Sequence, residues 1–341
     1  MSMKSFMTYA VTVAALSSMA MGTMATASTA RADSLADLAK KAAAAGPILW
    51  YESSPTEEMK PLIKKFQERF PGVELQHVRD TGGNAMAARI IQETQGGGRT
   101  ADVASNGPPI LMQLAKRDML MNVDWSALGV AKEMAPEPYA VSIAASAYVI
   151  IYNNKAVKEA EAPKTFEALL DPRWKGRIGL WNRSESETSL SAVWGEEKTT
   201  AYIEKLKQQN PMLFPSSFPM VQSMASGELA VGWGAAHATL PTVRKGGPIS
   251  LVIPNPIPVT TIYTFIPKGG KNPDGGKLFA AWLTTTEGAL AYEGATGRGN
   301  LRVPETNYGK MAAGKEVAEI PLSRYDEYAR IYEAYNALLA K

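Results

Sequence analysis

The 341-residue chain contains no cysteine and only two histidines. The first absence removes disulfides, thiol catalysis, cysteine metal sites and lipid attachment at an N-terminal cysteine. The second leaves His77 and His237 as the only imidazoles on which a histidine-based chemistry could rest. Charge of one sign is also scarce. The formal net charge is +3, and two of those charges, Lys4 and Arg31, lie in an N-terminal segment without acids. Nothing in this balance favours nucleic acid as a partner. Catalytic signatures are missing as well: there is no G-x-S-x-G elbow, no G-x-x-x-x-G-K-[ST] phosphate loop and no H-E-x-x-H. "GATGRG", residues 294–299, follows a helix-like stretch rather than a strand and is not read as a nucleotide cradle.

Long apolar runs are absent too. Residues 9–24 come nearest, but they are rich in Ala, Ser and Thr and fall short of a membrane span. With Lys4 before them and Ala30-Arg31-Ala32 after them, they read as a secretory signal peptide over residues 1–32, cut before Asp33. An exported chain without a lipid anchor is expected in the periplasm of a double-membraned bacterium.

The composition of the whole chain is that of an ordinary globular protein, 45% hydrophobic and 20% charged. "SLADLAKKAAAAG" reads as an amphipathic helix, "PILWY" as a strand, and Met59, Leu62, Ile63, Phe66 and Phe70 as one helical stripe. Because Pro61 sits early in that stripe, a loop is expected over residues 53–57, with the helix starting near Met59. "VELQHV", the helix "NAMAARIIQETQ" and the strand "ADVAS" follow, and this alternation implies a parallel sheet with crossover helices. "AYVIIYN" is the most apolar, β-rich strand. A second alternation runs from Pro163 through "RIGLW", "MLFPSS" and "LAVGW" to "ISLVIP" and "TIYTFIP", and helices close the chain. The reading is two α/β lobes: residues 33–145 plus 261–341, and residues 146–260. Two crossings form a hinge, near residues 146–152 and 251–263. A cleft between such lobes is where small ligands bind.

Several strands end in a short polar segment that leads into a helix. The candidates are Ser53 and Ser54 after "LWYE"; Gly82, Gly83 and Asn84 after "VELQHV"; Asn106 after "ADVAS"; and Trp181, Asn182, Arg183 and Ser184 after "RIGL". Hydroxyls and free N–H groups at helix N-termini accept anionic oxygens, and Arg183 adds a candidate bidentate clamp. Each segment also reads as a helix cap. Trp233 and His237 follow the same logic in "VGWGAAH", with Trp181 and Trp233 as candidate stacking surfaces or core residues. His77 alternates in phase with Val73 and Leu75 and reads as a structural histidine.

In order along the chain, "ILWYESS", "FQERFPGVELQHV", "TGGNAMAARIIQE", "ADVAS", "AYVIIYNNKAV", "PKTFEALLDPRWKGRIGLWN", "ASGELAVGW" and "IPKGGKNPDGGKLFAAWLTTTEGALAYEGATGRGNLR" resemble extracellular solute-binding proteins of ABC transporters. The similar subgroup contains ferric-iron, thiamine, phosphonate and polyamine binders. The resemblance implies the two-lobed, type II periplasmic binding fold, with parallel or mixed sheets and flanking helices. It also implies a monomer that closes on a small-molecule ligand and delivers it to an ABC permease and its ATPase, with no cofactor and no catalysis. Ferric-iron members typically carry tyrosines just after the strand matching "ELAVGW", whereas this chain has Gly234-Ala235-Ala236-His237. The expected ligand is therefore a small organic molecule with a carboxylate or phosphonate. Ferric iron is the alternative, with Tyr51, Tyr139, Tyr148 and Tyr263 as remaining oxygen donors. A secreted hydrolase using His237 with Ser53, Ser54 or Ser184 is the remote one.

Overall fold

The computed structural model describes residues 35–80 and 85–340. The signal-peptide reading and the candidates Gly82, Gly83 and Asn84 lie outside the described residues. A helix over residues 35–45, α1, leads into β1 (Ile48–Glu52), α2 (Thr56–Arg69), β2 (Leu75–Arg79), α3 (Ala85–Gln95), β3 (Val103–Asn106) and α4 (Pro108–Ala115). The strand β4 (Val141–Asn153) follows. Next come β5 (Ile178–Trp181), α5 (Glu185–Trp194), α6 (Glu196–Gln208), β6 (Met212–Phe214), α7 (Ser217–Ser226), β7 (Val231–Ala235), α8 (Ala236–Arg244) and β8 (Ile249–Val252). The chain ends with β9 (Ile257–Phe265), α9 (Pro273–Leu283), α10 (Thr286–Thr296), α11 (Asn307–Ala312), β10 (Val317–Ala318) and α12 (Tyr325–Ala340).

The strands follow the order β2-β1-β3-β9-β4-β7-β5-β6. β4 holds the two halves together, because its partners change along its length. From Val141 to Ala147 it pairs with β9, and from Tyr148 to Asn153 it pairs with β7 and β8. All thirteen of its residues are buried, which suits an apolar, β-branched run covered on both faces. The result is a two-lobed α/β fold. One lobe is built on the β2-β1-β3-β9 sheet, between the core around Trp50, Phe66, Phe279 and Trp282 and the core around Tyr51, Ile90, Leu111 and Phe265. The other is built on the β7-β5-β6 sheet, between the core around Phe166, Trp174, Ile203 and Trp233 and the core around Met220, Met224 and Ile257. Gly232 allows α7 to lie close on this sheet, since a Cβ there would sit 2.9 Å from Met224 Cε and 2.8 Å from the Gly179 carbonyl.

Two expectations need correction. α2 begins at Thr56, not near Met59, with Pro61 inside it. The bond forgone at Pro61 is outweighed by burial of Met59, Leu62 and Phe66 on one face. Nor does the C-terminal segment return whole to the first lobe. α9 and α10 do so through Phe279, Trp282 and Tyr292, but α12 packs on α5 and α6. Its stripe of Tyr328, Ile331, Tyr335 and Leu339 joins the Phe166–Trp233 core. Tyr335 Oη donates to the Glu196 carbonyl at 3.1 Å, and Arg330 forms a forked pair with Glu196.

Candidate functional site

The strand registers set where a ligand can meet both lobes. β1, β2 and β3 run parallel, and β4 runs antiparallel to both β9 and β7. The C-terminal ends of β1 and β3 therefore point at the β4 crossing from one side, and those of β5 and β7 from the other. β1 and β3 are neighbours, yet α2 after β1 packs in the Trp50 core while α4 after β3 packs in the Leu111 core on the opposite face. β5 and β7 are also neighbours, and α5 and α8 likewise leave to opposite faces. Each lobe thus presents a topological switch point to the crossing, the place where open α/β sheets bind ligands.

On β4, Ser146 lies directly opposite Thr260 of β9, and Tyr148 lies two residues on, so all three side chains share a face. The Tyr148 and Thr260 hydroxyls are 3.1 Å apart. Arg298, in the loop after α10, enters here: its Nε donates to Ser146 Oγ at 3.2 Å and its Nη2 approaches His237 Nε2 at 3.4 Å. Arg302, four residues on, is ion-paired with Glu319 at 2.6 Å. Arg298 has no carboxylate within ion-pair distance among the described residues. Glu52, at the end of β1, feels the Arg298 charge. Burial pushes the Glu52 carboxyl up, but His77, the Ser54 N–H and hydroxyl, and the Arg298 charge outweigh it and hold the group below its usual range. The Ser54 bonds carry most of this, at 2.5 Å to N and 3.1 Å to Oγ, since His77 Nε2 stands at 3.7 Å. Tyr292 Oη also points at Glu52, at 3.4 Å.

His237 opens α8 immediately past β7. Arginine is only a donor, so Nε2 must accept and the ring proton sits on Nδ1. Burial, with the Arg298 charge, pushes the imidazole down to about 3, so the ring is neutral. Nδ1 is buried without a hydrogen-bond partner among the described residues. With Nε2 accepting from Arg298 and Nδ1 unpartnered, no serine hydroxyl is bonded to this imidazole among the described residues.

The other expected site residues divide. Asn106 is half-buried at the end of β3, its Oδ1 accepting the Gly107 N–H at 2.8 Å. Trp181 is half-buried, its ring 6.3 Å from Tyr148 and its Nε1 donating to the Pro215 carbonyl at 2.9 Å. Asn182 and Arg183 are exposed beside it, with the Arg183 guanidinium 5.7 Å from the indole. Ser53 is exposed, and the Ser54 hydroxyl is committed to Glu52.

Two candidates are corrected. Ser184 is fully buried under α12: its N–H donates to Asn336 Oδ1 at 2.9 Å and its hydroxyl to the Tyr332 carbonyl at 3.0 Å. Trp233 is 2% exposed and packs 4.3 Å from Phe166, because strand alternation turns it into the second lobe's core, on the face of Ile150 and Leu180. Sequence reasoning missed Arg298, Ser146, Tyr148 as a site residue, Thr260 and Glu52. Arg298 lies inside the glycine-rich "GATGRG", where a long cation between two glycines was the available signal.

A family model described as bacterial extracellular solute-binding protein matches residues 61–303. An uncharacterized protein of Haemophilus influenzae is 30% identical over 138 residues, 38% of this chain and 39% of that protein, so the chain spans about two fifths of that relative's length. The major ferric iron-binding protein of Neisseria meningitidis is 24% identical over 233 residues, 61% of this chain and 67% of that protein. Among solved structures, iron-bound HitA from Pseudomonas aeruginosa superposes with a TM-score of 0.68 at 21% identity, covering 85% of this chain and 99% of that one. With the match spanning most of the sequence and the two-lobed fold agreeing, this chain belongs to the bacterial extracellular solute-binding protein family.

Proposed function

We propose that this protein is the periplasmic receptor of an ABC importer, closing its lobes about the β4 and β8–β9 crossings on a small organic molecule with a carboxylate or phosphonate group. It then hands this ligand to a permease driven by an ATPase. The observation that carries the reading is Arg298. Its guanidinium is set by Ser146 and His237 between the switch points of the two lobes, without a carboxylate within ion-pair distance among the described residues. A partly buried guanidinium without a paired anion favours an anionic ligand, and its planar fork matches a carboxylate or phosphonate.

Ferric iron is the second reading, favoured by the names of the Neisseria relative and of HitA. Its chemistry here is less favourable. No phenol follows β7. Among the described residues no group of three His, Asp or Glu converges on a metal position.

Thermal unfolding against a panel of carboxylates and phosphonates, with a ferric salt in parallel, tests both. Stabilisation by an organic anion that is lost in Arg298→Gln supports the first reading. A visible phenolate-to-iron charge-transfer band with no anion response overturns it.

A further inference from the structure

Arg298 supplies one charge at the crossing, and an opposite charge stands at the start of α5. Glu185 opens α5 just past Trp181 and Ser184. Its Oε1 receives the Tyr332 hydroxyl at 3.5 Å, while its Oε2 is buried with no hydrogen-bond partner among the described residues. Among the described residues no lysine or arginine lies within ion-pair distance; Arg183 acts on it only from an exposed position beside Trp181. One turn on, on the same face of α5, Thr188 is 1% exposed and its hydroxyl is likewise unpartnered. α5 itself is unusual. Its buried residues are Ser186, Glu187, Thr188, Ser189, Leu190 and Ser191, so Leu190 is the one large apolar side chain among them, with Trp194 joining the core only at the helix end. Such breaches of the hydrophobic pattern concentrate where a ligand completes the structure.

The Tyr148 phenol feels both charges. Burial pushes it up first, Glu185 adds to that, and Arg298 opposes it. Tyr148 lies two residues from the Arg298 partner Ser146 on the same face of β4, and Trp181 lies four residues before Glu185. Their ring centroids are 6.3 Å apart, so they link the segment that holds the cation to the one that carries the incompletely partnered carboxylate.

We propose that the site takes a bipolar ligand, its anionic group on Arg298 and an ammonium or similar cationic group on Glu185, with the Tyr148 and Trp181 rings beside the chain between. This rests on the anion reading of Arg298 and adds the other half. A buried carboxylate oxygen without a donor is costly, and a ligand ammonium supplies the missing donor while the aromatic faces favour a cation.

Isothermal titration with unbranched ω-amino carboxylates of increasing length from β-alanine, the matching plain carboxylates and the matching alkylammonium salts tests it. The wild type, Glu185→Gln and Arg298→Gln are compared, with circular dichroism confirming that each variant is folded. The expected result is a chain length at which the amino carboxylate binds at least about tenfold more tightly than the plain carboxylate, a preference removed by Glu185→Gln. Equal affinity of plain and amino carboxylates, a preference surviving in Glu185→Gln, or no binding by any amino carboxylate would overturn the inference. If Arg298→Gln leaves carboxylate binding intact, the anion reading itself fails. If Arg298→Gln abolishes binding and Glu185→Gln changes nothing, only the bipolar inference falls.

Discussion

The guanidinium of Arg298 stands against the imidazole of His237, Nη2 to Nε2 at 3.4 Å, with its Nε bound to Ser146. This one contact joins the loop after α10, the start of α8 and the strand shared by both lobes. It also fixes the histidine's proton on Nδ1. With only two histidines in the chain, nitrogen-15 shifts resolve both rings. The His237 signal should report the neutral Nδ1–H form and should not titrate between pH 5 and pH 8, since burial and Arg298 hold the group near 3. Because the folded value is depressed, the unfolded chain takes up a proton that the folded one refuses as pH falls through the ordinary imidazole range. The residue's contribution to stability is full above that range and lost below it. A His237 ring titrating near its ordinary value would contradict the contact.

Arg298→Lys keeps the charge and loses the fork. A single ammonium cannot bond Ser146, meet His237 and present two parallel donors to an anion. Affinity for whichever organic anion stabilises the wild type should fall by at least about tenfold on calorimetric titration. Retention within about twofold would show that charge alone suffices.

Glu187 is fully buried on α5, accepting the Ser186 hydroxyl at 2.8 Å, and burial pushes its carboxyl up to about 7. The folded state therefore holds a proton that the unfolded state has released, and stability falls as pH rises from the ordinary carboxylate range towards 7. Glu187→Gln keeps the shape and the acceptor for Ser186. Denaturant unfolding should show the variant close to wild type at pH 5 and more stable at pH 8, by on the order of 3 kcal/mol. A constant difference across pH would show that Glu187 ionises freely.

Ser184 tests the placement of α12. Its buried hydroxyl donates to the Tyr332 carbonyl, so Ser184→Ala should lower unfolding stability by about 1 kcal/mol, read as a shift in urea midpoint. No shift would mean that α12 is not anchored there.

The parts legible in the sequence share a physical reason. β4 and the helices of the first lobe carry apolar patterns of strand or helix period, and the polar segments after β1, β3 and β5 mark strand ends wherever the chain turns into a helix. Ser184 and Trp233 were misplaced because a polar strand end and a Gly-flanked tryptophan look alike whether they face a ligand or a neighbour. Only α12, more than 140 residues away, decides for Ser184. Glu185 was not legible, and Arg298 only through the two glycines that flank it, for the converse reason. Their importance lies in partners they lack, and a missing partner has no local pattern.

The central claim is that Arg298 holds an organic anion. Native mass spectrometry of protein isolated gently from its own periplasm tests it most directly. The account predicts a retained organic mass that is absent from Arg298→Gln prepared in the same way. A retained iron mass in both proteins, or the same organic mass on the variant at equal occupancy, would contradict it.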